Sequence, residues 1–381
     1  MKKNHINRNK ILFPIGSIYP SQQGGPSNSI YWTCLALKKI GFDITIISTD
    51  VLTNNLIKKN KWLETDFGKV IYNKEINYKF PIKTVFKSLI KIHKNEIIHL
   101  NSIFYPLSII IFLFSVFTTK TIIWSVRGEL SPKALEYSYY KKYFILKILK
   151  VLINKNVYFH STSDFENKCI IESFGKNVNI KYLPNFMLLP NKLNLPKLKR
   201  FTYIGRLHSI KGLDNLIYAL NKSKYFKSSD FEFHIAGFDN TEYSKYLLQL
   251  VEDLNLKNKI HFVNYITGID KQEFLSKSYY NFLPSYSENF GLVVIESLAQ
   301  GTPVVASTNT PWNILQLKNA GYFINNDIES ISMIIDDIIS NISISDYKKI
   351  SDNAYNLAKS NFDLFSQKNL FQITKFYTEF L

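Results

Sequence analysis

The segment from Ser285 to Ser307, SYSENFGLVVIESLAQGTPVVAS, constrains the fold of this 381-residue chain more than any other. It overlaps an apolar run, YYNFLPS, that is typical of a buried strand, and it continues into an apolar helix between Gly291 and Gly301. A strand that leads through a loop into a helix is the repeating unit of open α/β sheets, which bind ligands beyond the carboxyl ends of their strands. The segment therefore predicts a parallel α/β domain with a ligand site at this loop.

Two glutamates in this segment suit a nucleotide. The backbone N–H groups around Gly291 and Leu292 are expected to be unpaired and backed by the helix dipole, an arrangement that binds a diphosphate. Glu296, one turn into the helix, would accept both hydroxyls of a ribose, while Glu288 would face whatever lies beyond the phosphates. An acidic loop before an ordinary amphipathic helix explains the two glutamates alone equally well.

A second element lies upstream, in FTYIGRLHSIKGLDNLIYAL, which predicts a strand, a glycine turn and a helix. Arg206 and Lys211 fall between the strand and the helix, where two cations clamp a diphosphate leaving group and neutralise its growing charge. Basic loop residues are usually only solvated, so this pair is weak taken separately. Combined with two glutamates about eighty residues later, it strongly predicts a nucleotide site. The apolar face of the helix is formed by Leu213, Leu216, Ile217 and Leu220.

These motifs resemble the donor half of the retaining glycosyltransferases of family 4, of the bacterial surface-polysaccharide type, and the resemblance covers nearly the whole chain. The resemblance implies an α/β protein of GT-B architecture, with two Rossmann-like, doubly wound parallel-sheet domains facing a central cleft. It also implies a hexosyltransferase that uses a UDP- or GDP-sugar and needs no metal or other cofactor. The motif residues are Arg206, Lys211, Glu288, Gly291 and Glu296, followed by AQGTPVVAS.

The resemblance also assigns roles to individual residues. The catalytic residues would be Arg206, Lys211 and Glu288. The donor-binding set would be these three with Gly25, Asn289, Phe290, Gly291, Leu292 and Glu296. Contacts to the transferred sugar or the acceptor would come from Gly24, Asn101 and Arg127. Many family members have a histidine where this chain has Arg127, and a bacterial subset concerned with surface polysaccharides has a similar RGxLSP segment.

Strand and helix signals alternate along the chain and divide it into three parts. An N-terminal acceptor domain is expected over residues 1–190, and a donor domain over 191–360. The linker that joins the two domains contains Pro184, Pro190 and Pro196, which interrupt any helix there. Residues 361–381 are amphipathic and are expected to cross back to the first domain. Two cysteines, Cys34 and Cys169, make a disulfide improbable, and their number excludes a zinc site.

The positive charge lies almost entirely in the first half. Residues 1–190 contain 27 Lys and Arg against 11 Asp and Glu, a net +16, whereas residues 191–381 contain 20 against 19, a net +1. The resemblance places the acceptor, often a polyprenyl-diphosphate-linked glycan, in the basic half. The segment KKYFILKILKVLINK would then suit an anionic bilayer through Lys141, Lys142, Lys147, Lys150 and Lys155. A solvated lysine face explains the same pattern equally well.

The remaining expectations concern the membrane, the location of the protein, its partners and its alternative functions. The uncharged run Ile103–Thr119 is close to the lower limit for a spanning helix, but its place between two strands favours a buried helix. The protein is expected in the cytoplasm, peripherally on the inner face of the cytoplasmic membrane. A nucleic-acid partner is not expected, because the basic chain contains no recognisable nucleic-acid-binding motif. A transferase acting on a soluble small acceptor and a non-catalytic scaffold that binds nucleotide sugars remain open.

Overall fold

A computed structural model describes residues 9–21, 25–53 and 57–380. The chain divides into unit 1, formed by Met1–Leu188 and Leu364–Leu381, and unit 2, formed by Leu189–Asp363. The strands are β1 (Lys10–Ile15), β2 (Asp43–Thr49), β3 (Trp62–Thr65), β4 (Gly68–Asn73), β5 (Ile97–Asn101), β6 (Thr121–Ser125), β7 (Val157–Ser161), β8 (Asn179–Tyr182), β9 (Arg200–Ile204), β10 (Glu232–Phe238), β11 (Ile260–Asn264), β12 (Tyr280–Leu283), β13 (Val304–Ser307) and β14 (Gly321–Ile324). The helices are α1 (Gly25–Lys39), α2 (Ile82–Ile92), α3 (Pro106–Ser115), α4 (Pro132–Glu136), α5 (Tyr139–Leu152), α6 (Asp164–Phe174), α7 (Leu213–Lys222), α8 (Glu242–Asp253), α9 (Gly268–Ser276), α10 (Leu292–Ala299), α11 (Ile314–Leu317), α12 (Ile328–Ser340), α13 (Ile344–Phe362) and α14 (Gln367–Thr378).

The sheet of unit 1 has eight strands in the order β3-β4-β2-β1-β5-β6-β7-β8. Its pairs are parallel except for the antiparallel pair of β3 and β4. Ile11 and Phe13 of β1 pack in the cluster that contains Cys34 of α1, whereas Leu12 packs on the opposite face with Leu107 of α3. Burial on both faces explains why β1 is an uninterrupted apolar run after its first residue, Lys10.

Helix α3 lies inside the apolar run Ile103–Thr119. Leu107, Ile111 and Phe112 are buried against the sheet, but Phe114 keeps 63% of its surface exposed. The run therefore forms a helix that is half-buried on the sheet, rather than a wholly buried one. Among the helices that the structure describes, none combines the length and the apolar character needed to cross a membrane.

The segment after unit 2 returns to unit 1 as α14. Ile373, Phe376 and Tyr377 are buried in the same cluster as Ile11 and Phe13 of β1. The Tyr377 hydroxyl also hydrogen-bonds the Nδ1 atom of His99, a buried residue of β5, at 2.8 Å. The core of unit 1 is thus built from two separate stretches of chain.

The sheet of unit 2 has six parallel strands in the order β11-β10-β9-β12-β13-β14. From β9 the chain proceeds outward to β10 and β11, and from β12 it proceeds outward on the other side to β13 and β14. The predicted apolar face of α7 is confirmed, since Leu213, Leu216, Ile217 and Leu220 are fully buried. The predicted α/β class with two parallel-sheet domains is likewise confirmed.

Candidate active site

The two sequence motifs of unit 2 meet where its strand order reverses, between the neighbouring strands β9 and β12. Such a switch point opens a crevice at the carboxyl ends of the strands, and open α/β sheets bind ligands there. The loop after β9 carries Arg206 and Lys211, and the loop after β12 carries Glu288 and Gly291. The backbone N–H of Tyr286 donates to the carbonyl of Ile210 at 2.8 Å, which fixes one loop against the other.

Gly212 makes this close approach of the loops possible. Its φ of +64° lies in the left-handed region, and it follows a single 3-10 turn, Ser209–Lys211. A Cβ at this position would lie 2.2 Å from the carbonyl oxygen of Pro284 and 2.7 Å from Nδ2 of Asn326. A side chain at residue 212 would therefore push apart the loops that hold the site.

The two predicted cations have different surroundings. The Nζ atom of Lys211 forms an ion pair with Oε2 of Glu288 at 2.5 Å, and each side chain is 17% exposed. Arg206 is exposed, and in the described part of the chain its guanidinium has no hydrogen-bonding or ion-pair partner. The Tyr203 hydroxyl donates to the carbonyl of Arg206 at 3.0 Å and fixes the backbone of the turn. Arg206 is thus a free cation on an anchored backbone, whereas Lys211 already has a carboxylate.

The N-terminus of α10 lies beside this ion pair. Gly291 caps the helix with φ +78°, and a Cβ on it would lie 3.3 Å from Cγ of Glu288. The cap residue supplies no side-chain hydrogen bond, so the first N–H groups of α10 are available to an anion. Leu292 begins the helix, and Oδ1 of Asn289 just before it is buried without a hydrogen bond within the described residues.

Phe290 serves this loop as an anchor. Its ring is buried against Trp312 with 5.1 Å between the ring centroids, and the Trp312 indole N–H donates to the Phe290 carbonyl. The ring itself therefore points into the core. A contact to a donor nucleotide from this residue would have to come from its backbone.

Glu296 lies one turn into α10, as expected, but its carboxylate has a partner that the sequence did not predict. Oε2 of Glu296 forms an ion pair with Nζ of Lys271 on α9, and the side chains of Glu296 and Lys271 are 22% and 23% exposed. The helix α9 carries no motif that marks Lys271. The Lys271 ammonium group holds the Glu296 carboxylate at the side of the crevice.

Two more polar residues at this crevice escaped sequence reasoning. The side-chain amide of Asn326 is buried, and neither its oxygen nor its nitrogen has a hydrogen bond among the described residues. The same holds for the Ser285 hydroxyl. Asn326 lies beside Gly212 and follows β14, while Ser285 follows β12. Buried polar groups are almost always satisfied in native proteins, so unpaired ones at a crevice indicate a site for a polar ligand.

Unit 1 has its own cavity, of about 320 Å³, where its strand order reverses between β1 and β5. The structure brings the predicted Asn101 and Arg127 together in its wall. Nε and Nη2 of Arg127 donate to Oδ1 of Asn101 at 3.3 and 3.1 Å, and Nη1 donates to Oδ1 of Asn185 at 3.2 Å. The other polar residues of the wall are Ser17, Ser27, Tyr78, Ser102, Tyr105 and Glu129.

The cavity wall is strained and electropositive at Arg127. The residue adopts φ +55°, which is uncommon for a side-chain-bearing residue, and desolvation lowers the pKa of its guanidinium. Asn185, which the sequence did not single out, completes its hydrogen bonds. Of the two predicted glycines, Gly25 begins α1 with open space where a Cβ would be, and Gly24 lies outside the described residues.

Residues 188–357 match the model of the family described as glycosyl transferases group 1. The match covers nearly all of unit 2, including both loops of the crevice.

Three curated relatives extend this finding. An uncharacterised glycosyltransferase of Haemophilus influenzae is 29% identical over 46% of this chain and 50% of its own length. The O-antigen chain mannosyltransferase RfbU of Salmonella typhimurium is 35% identical over 23% of this chain and 25% of its own length. An uncharacterised 41.2 kDa protein in the cps region of Klebsiella pneumoniae is 24% identical over 58% of this chain and 63% of its own length. The chain thus spans less than two thirds of each of these relatives.

Solved structures match over nearly the full length. Sucrose-phosphate synthase from Thermosynechococcus elongatus has a TM-score of 0.74 at 17% identity, covering 98% of this chain and 99% of its own. Anabaena HepE in complex with UDP-glucose has a TM-score of 0.74 at 18% identity, covering 97% and 99%. At these identities the likeness concerns the fold, and it confirms the predicted GT-B class of two Rossmann-like domains.

Proposed function

We propose that this protein is a retaining, family 4 glycosyltransferase that moves a sugar from a UDP- or GDP-sugar to a glycan or lipid-linked glycan in bacterial surface polysaccharide synthesis. The observation that carries the proposal is the meeting of the Lys211–Glu288 ion pair with the N-terminus of α10 at the switch point of unit 2. A nucleotide donor is supported by HepE, whose solved complex contains UDP-glucose. A role in surface polysaccharide is supported by the partial relative that acts on O-antigen chains.

The donor would bind with its diphosphate between the loops after β9 and β12. Arg206, which has no partner in the described residues, would take the phosphate charge together with the N–H groups of α10. Glu296, held by Lys271, would accept hydrogen bonds from the ribose hydroxyls. Glu288 would orient the transferred sugar by accepting from the hydroxyls of that sugar. Lys211 would hold Glu288 in position and also neutralise the departing diphosphate.

Transfer would break the bond from the anomeric carbon to the diphosphate oxygen and form a bond from the acceptor oxygen to the same face of that carbon. The electron pair of the broken bond stays on the diphosphate, and the acceptor proton moves to its leaving oxygen. Arg206 and Lys211 stabilise the negative charge that develops there, which is the task that a divalent cation performs in metal-dependent transferases. We accordingly propose that the reaction is independent of metal.

The cavity of unit 1 is our candidate for the acceptor or the transferred sugar. Arg127 and Asn101 offer a guanidinium and an amide, which suit hydroxyl and phosphate oxygens. The presence of a cation here agrees with an acceptor that carries a diphosphate. An Asn101→Ala substitution should raise KM for the acceptor while leaving nucleotide binding to unit 2 unchanged.

The proposed function is tested by donor screening followed by transfer. A panel of UDP- and GDP-sugars is first ranked by the thermal shift that each gives the protein. The protein and the best donor are then incubated with lipid-linked and soluble glycans in the presence of a chelator, which removes divalent metal ions. NMR of the product should show the anomeric configuration of the donor. The Lys211→Ala variant should lose most of this turnover, whereas Lys222→Ala, which removes an exposed ion pair of α7 with Glu329, should keep it. An inverted product, or full turnover in Lys211→Ala, would contradict the proposal.

We also propose that unit 1 docks on the anionic inner face of the cytoplasmic membrane through α5. Its apolar side chains project into solvent: Tyr140, Phe144 and Val151 keep 87%, 65% and 84% of their surface exposed, while Leu149 is buried. Exposed aromatic and aliphatic groups interleaved with lysines are typical of helices that lie in a membrane interface. The charge asymmetry of the sequence and the exposure in the structure thus favour the same helix.

One lysine of this helix differs from the others. The Lys142 ammonium donates to the carbonyl of Ala134 at 2.5 Å and lies 5.1 Å from the Phe104 ring centroid, so it serves the fold. The exposed lysines are Lys141, Lys147 and Lys150. Replacing these three with Gln should reduce co-sedimentation with phosphatidylglycerol vesicles at low salt, with neutral vesicles as the control. Unchanged sedimentation of the triple variant would assign the docking to another surface.

A further inference from the structure

Two histidines and a glutamate form a cluster on the sheet of unit 2, apart from the crevice. Glu232 and His234 lie two residues apart on β10 and therefore on one face of the sheet. His261 lies on the edge strand β11, directly in register with His234. The side chains of Glu232, His234 and His261 are 48%, 19% and 39% exposed, so the cluster can be reached from solvent.

The spacing of the three groups suits one metal ion. Oε2 of Glu232 lies 2.9 Å from Nε2 of His234 and 3.5 Å from Nε2 of His261, and the ligand atoms all fall within 4.8 Å of one another. Bonds of about 2.0–2.2 Å from a tetrahedral zinc ion place neighbouring ligand atoms roughly 3.3 Å apart. The three atoms are therefore already close to the separations that shared coordination requires.

The hydrogen bonds of the cluster leave room for a cation. Nε2 of His261 is buried and has no hydrogen-bond partner among the described residues. Of the two nearby cations, Arg200 donates from Nη2 to the carbonyl of Phe274 at 2.9 Å, and its Nε has no hydrogen-bond partner among the described residues. Lys259 donates to the carbonyl oxygens of Ser229 and Phe231. A metal ion would give His261 the partner that the fold does not supply.

We propose that Glu232, His234 and His261 bind a zinc ion, with water as the fourth ligand. Two imidazoles with one carboxylate favour Zn²⁺ over Mg²⁺, which prefers six oxygen ligands. This ligand set contains no cysteine, so the presence of only two cysteines, which predicts no zinc site, does not exclude it. Glu232 begins β10, so the ion sits toward the amino ends of the strands, opposite the crevice. Its role is to fasten the edge strand β11 to β10, and it takes no part in sugar transfer.

The test uses the full chain, stripped with a chelator and desalted. Titration calorimetry with ZnCl₂ should give one site with a dissociation constant on the order of micromolar, MgCl₂ should give none, and ZnCl₂ should raise the unfolding temperature. Co²⁺ in place of zinc should give the strong visible absorption of a tetrahedral site. His261→Asn and His234→Asn should each weaken zinc binding at least tenfold. His93→Asn, which changes an exposed histidine after α2, is the matched control and should bind as the wild type does.

Two outcomes would overturn the proposal. One is the absence of zinc binding by the wild-type chain at micromolar concentrations. The other is wild-type affinity in a His234→Asn/His261→Asn double variant whose circular dichroism and metal-free thermal melt are intact. Because metal binding is read directly, neither result depends on whether the chain transfers sugar.

Discussion

A buried chain of hydrogen bonds in unit 1 predicts a strong loss of stability in acid. His160 donates from Nε2 to the carbonyl of Leu183 at 2.9 Å, so its Nδ1 accepts from the Ser125 hydroxyl at 2.7 Å. The Ser125 oxygen then accepts from Nε2 of His99 at 2.8 Å, and Nδ1 of His99 accepts from the Tyr377 hydroxyl. Every donor has an acceptor when both imidazoles are neutral. Protonating either histidine turns an accepting ring nitrogen into a donor, so the hydroxyl that donated to it loses the acceptor for its own proton.

Burial also opposes protonation. Desolvation, with Arg127 nearby, lowers the pKa of His160 from 6.5 to about 3, and desolvation with His160 and Arg127 lowers the pKa of His99 well below 6.5. Because the folded-state pKa is depressed, the unfolded chain binds protons more readily. Stability is therefore complete above about pH 6.5 and declines as the pH falls from there toward about 3. At pH 5, about 1.5 units below the unfolded-state pKa, His160 alone should lower the free energy of unfolding by about 2 kcal/mol, since each pH unit corresponds to about 1.4 kcal/mol.

The assay compares the wild type with His160→Gln, whose amide can still donate to the Leu183 carbonyl but does not titrate. Both carry Trp312→Phe, so that the remaining tryptophans, all in unit 1, report urea unfolding of that unit. Between pH 7 and pH 5 the wild type should lose about 2 kcal/mol more than the variant. An exposed control, His93→Gln, should follow the wild type. An equal loss of unfolding free energy in the wild type and His160→Gln would refute the inference that His160 is buried in its neutral form.

Three further predictions concern unit 2. Arg206→Ala should lower turnover about a hundredfold or more, because its contact strengthens as phosphate charge develops, while Lys222→Ala should leave turnover unchanged; steady-state kinetics decide this. Glu296→Ala should weaken the binding of UDP or GDP in calorimetry, and equal binding would mean that the ribose lies elsewhere. Gly212→Ala should lower the unfolding temperature and weaken nucleotide binding, because φ +64° and the Pro284 carbonyl oppose a methyl group. Gly25→Ala, with open space at its Cβ, should match the wild type in a thermal melt.

The architecture of unit 2 could be read from its sequence because local periodicity and turn chemistry agree. An apolar strand, a glycine at positive φ and an amphipathic helix follow one another at both β9 and β12, and each signal lies within about twenty residues. Parallel strands bring their carboxyl ends to one edge, so the two motifs could be expected to meet. The two loops do meet in the structure, where Lys211 of one loop forms an ion pair with Glu288 of the other.

The rest depends on partners from distant segments, which periodicity does not reveal. Lys271 reaches Glu296 from another helix, and Asn326 reaches Gly212 from the loop after β14. Lys142 shares the spacing of its neighbours on α5, yet its ammonium bonds the carbonyl of Ala134. Its sequence pattern could not separate this anchoring lysine from the exposed ones, because the difference arises only when α4 and α5 pack.

The return of α14 to unit 1 has a consequence for how the protein forms on the ribosome. Unit 2 is one continuous stretch and contains its own core, so it can fold as soon as it has emerged. Unit 1 begins to emerge first, but Ile373, Phe376 and Tyr377 of its core are made after all of unit 2. Until then Nδ1 of His99 lacks the Tyr377 hydroxyl, and the apolar surface that α14 covers stays open. The half synthesised first is therefore the half completed last, and it is exposed to chaperones for most of translation.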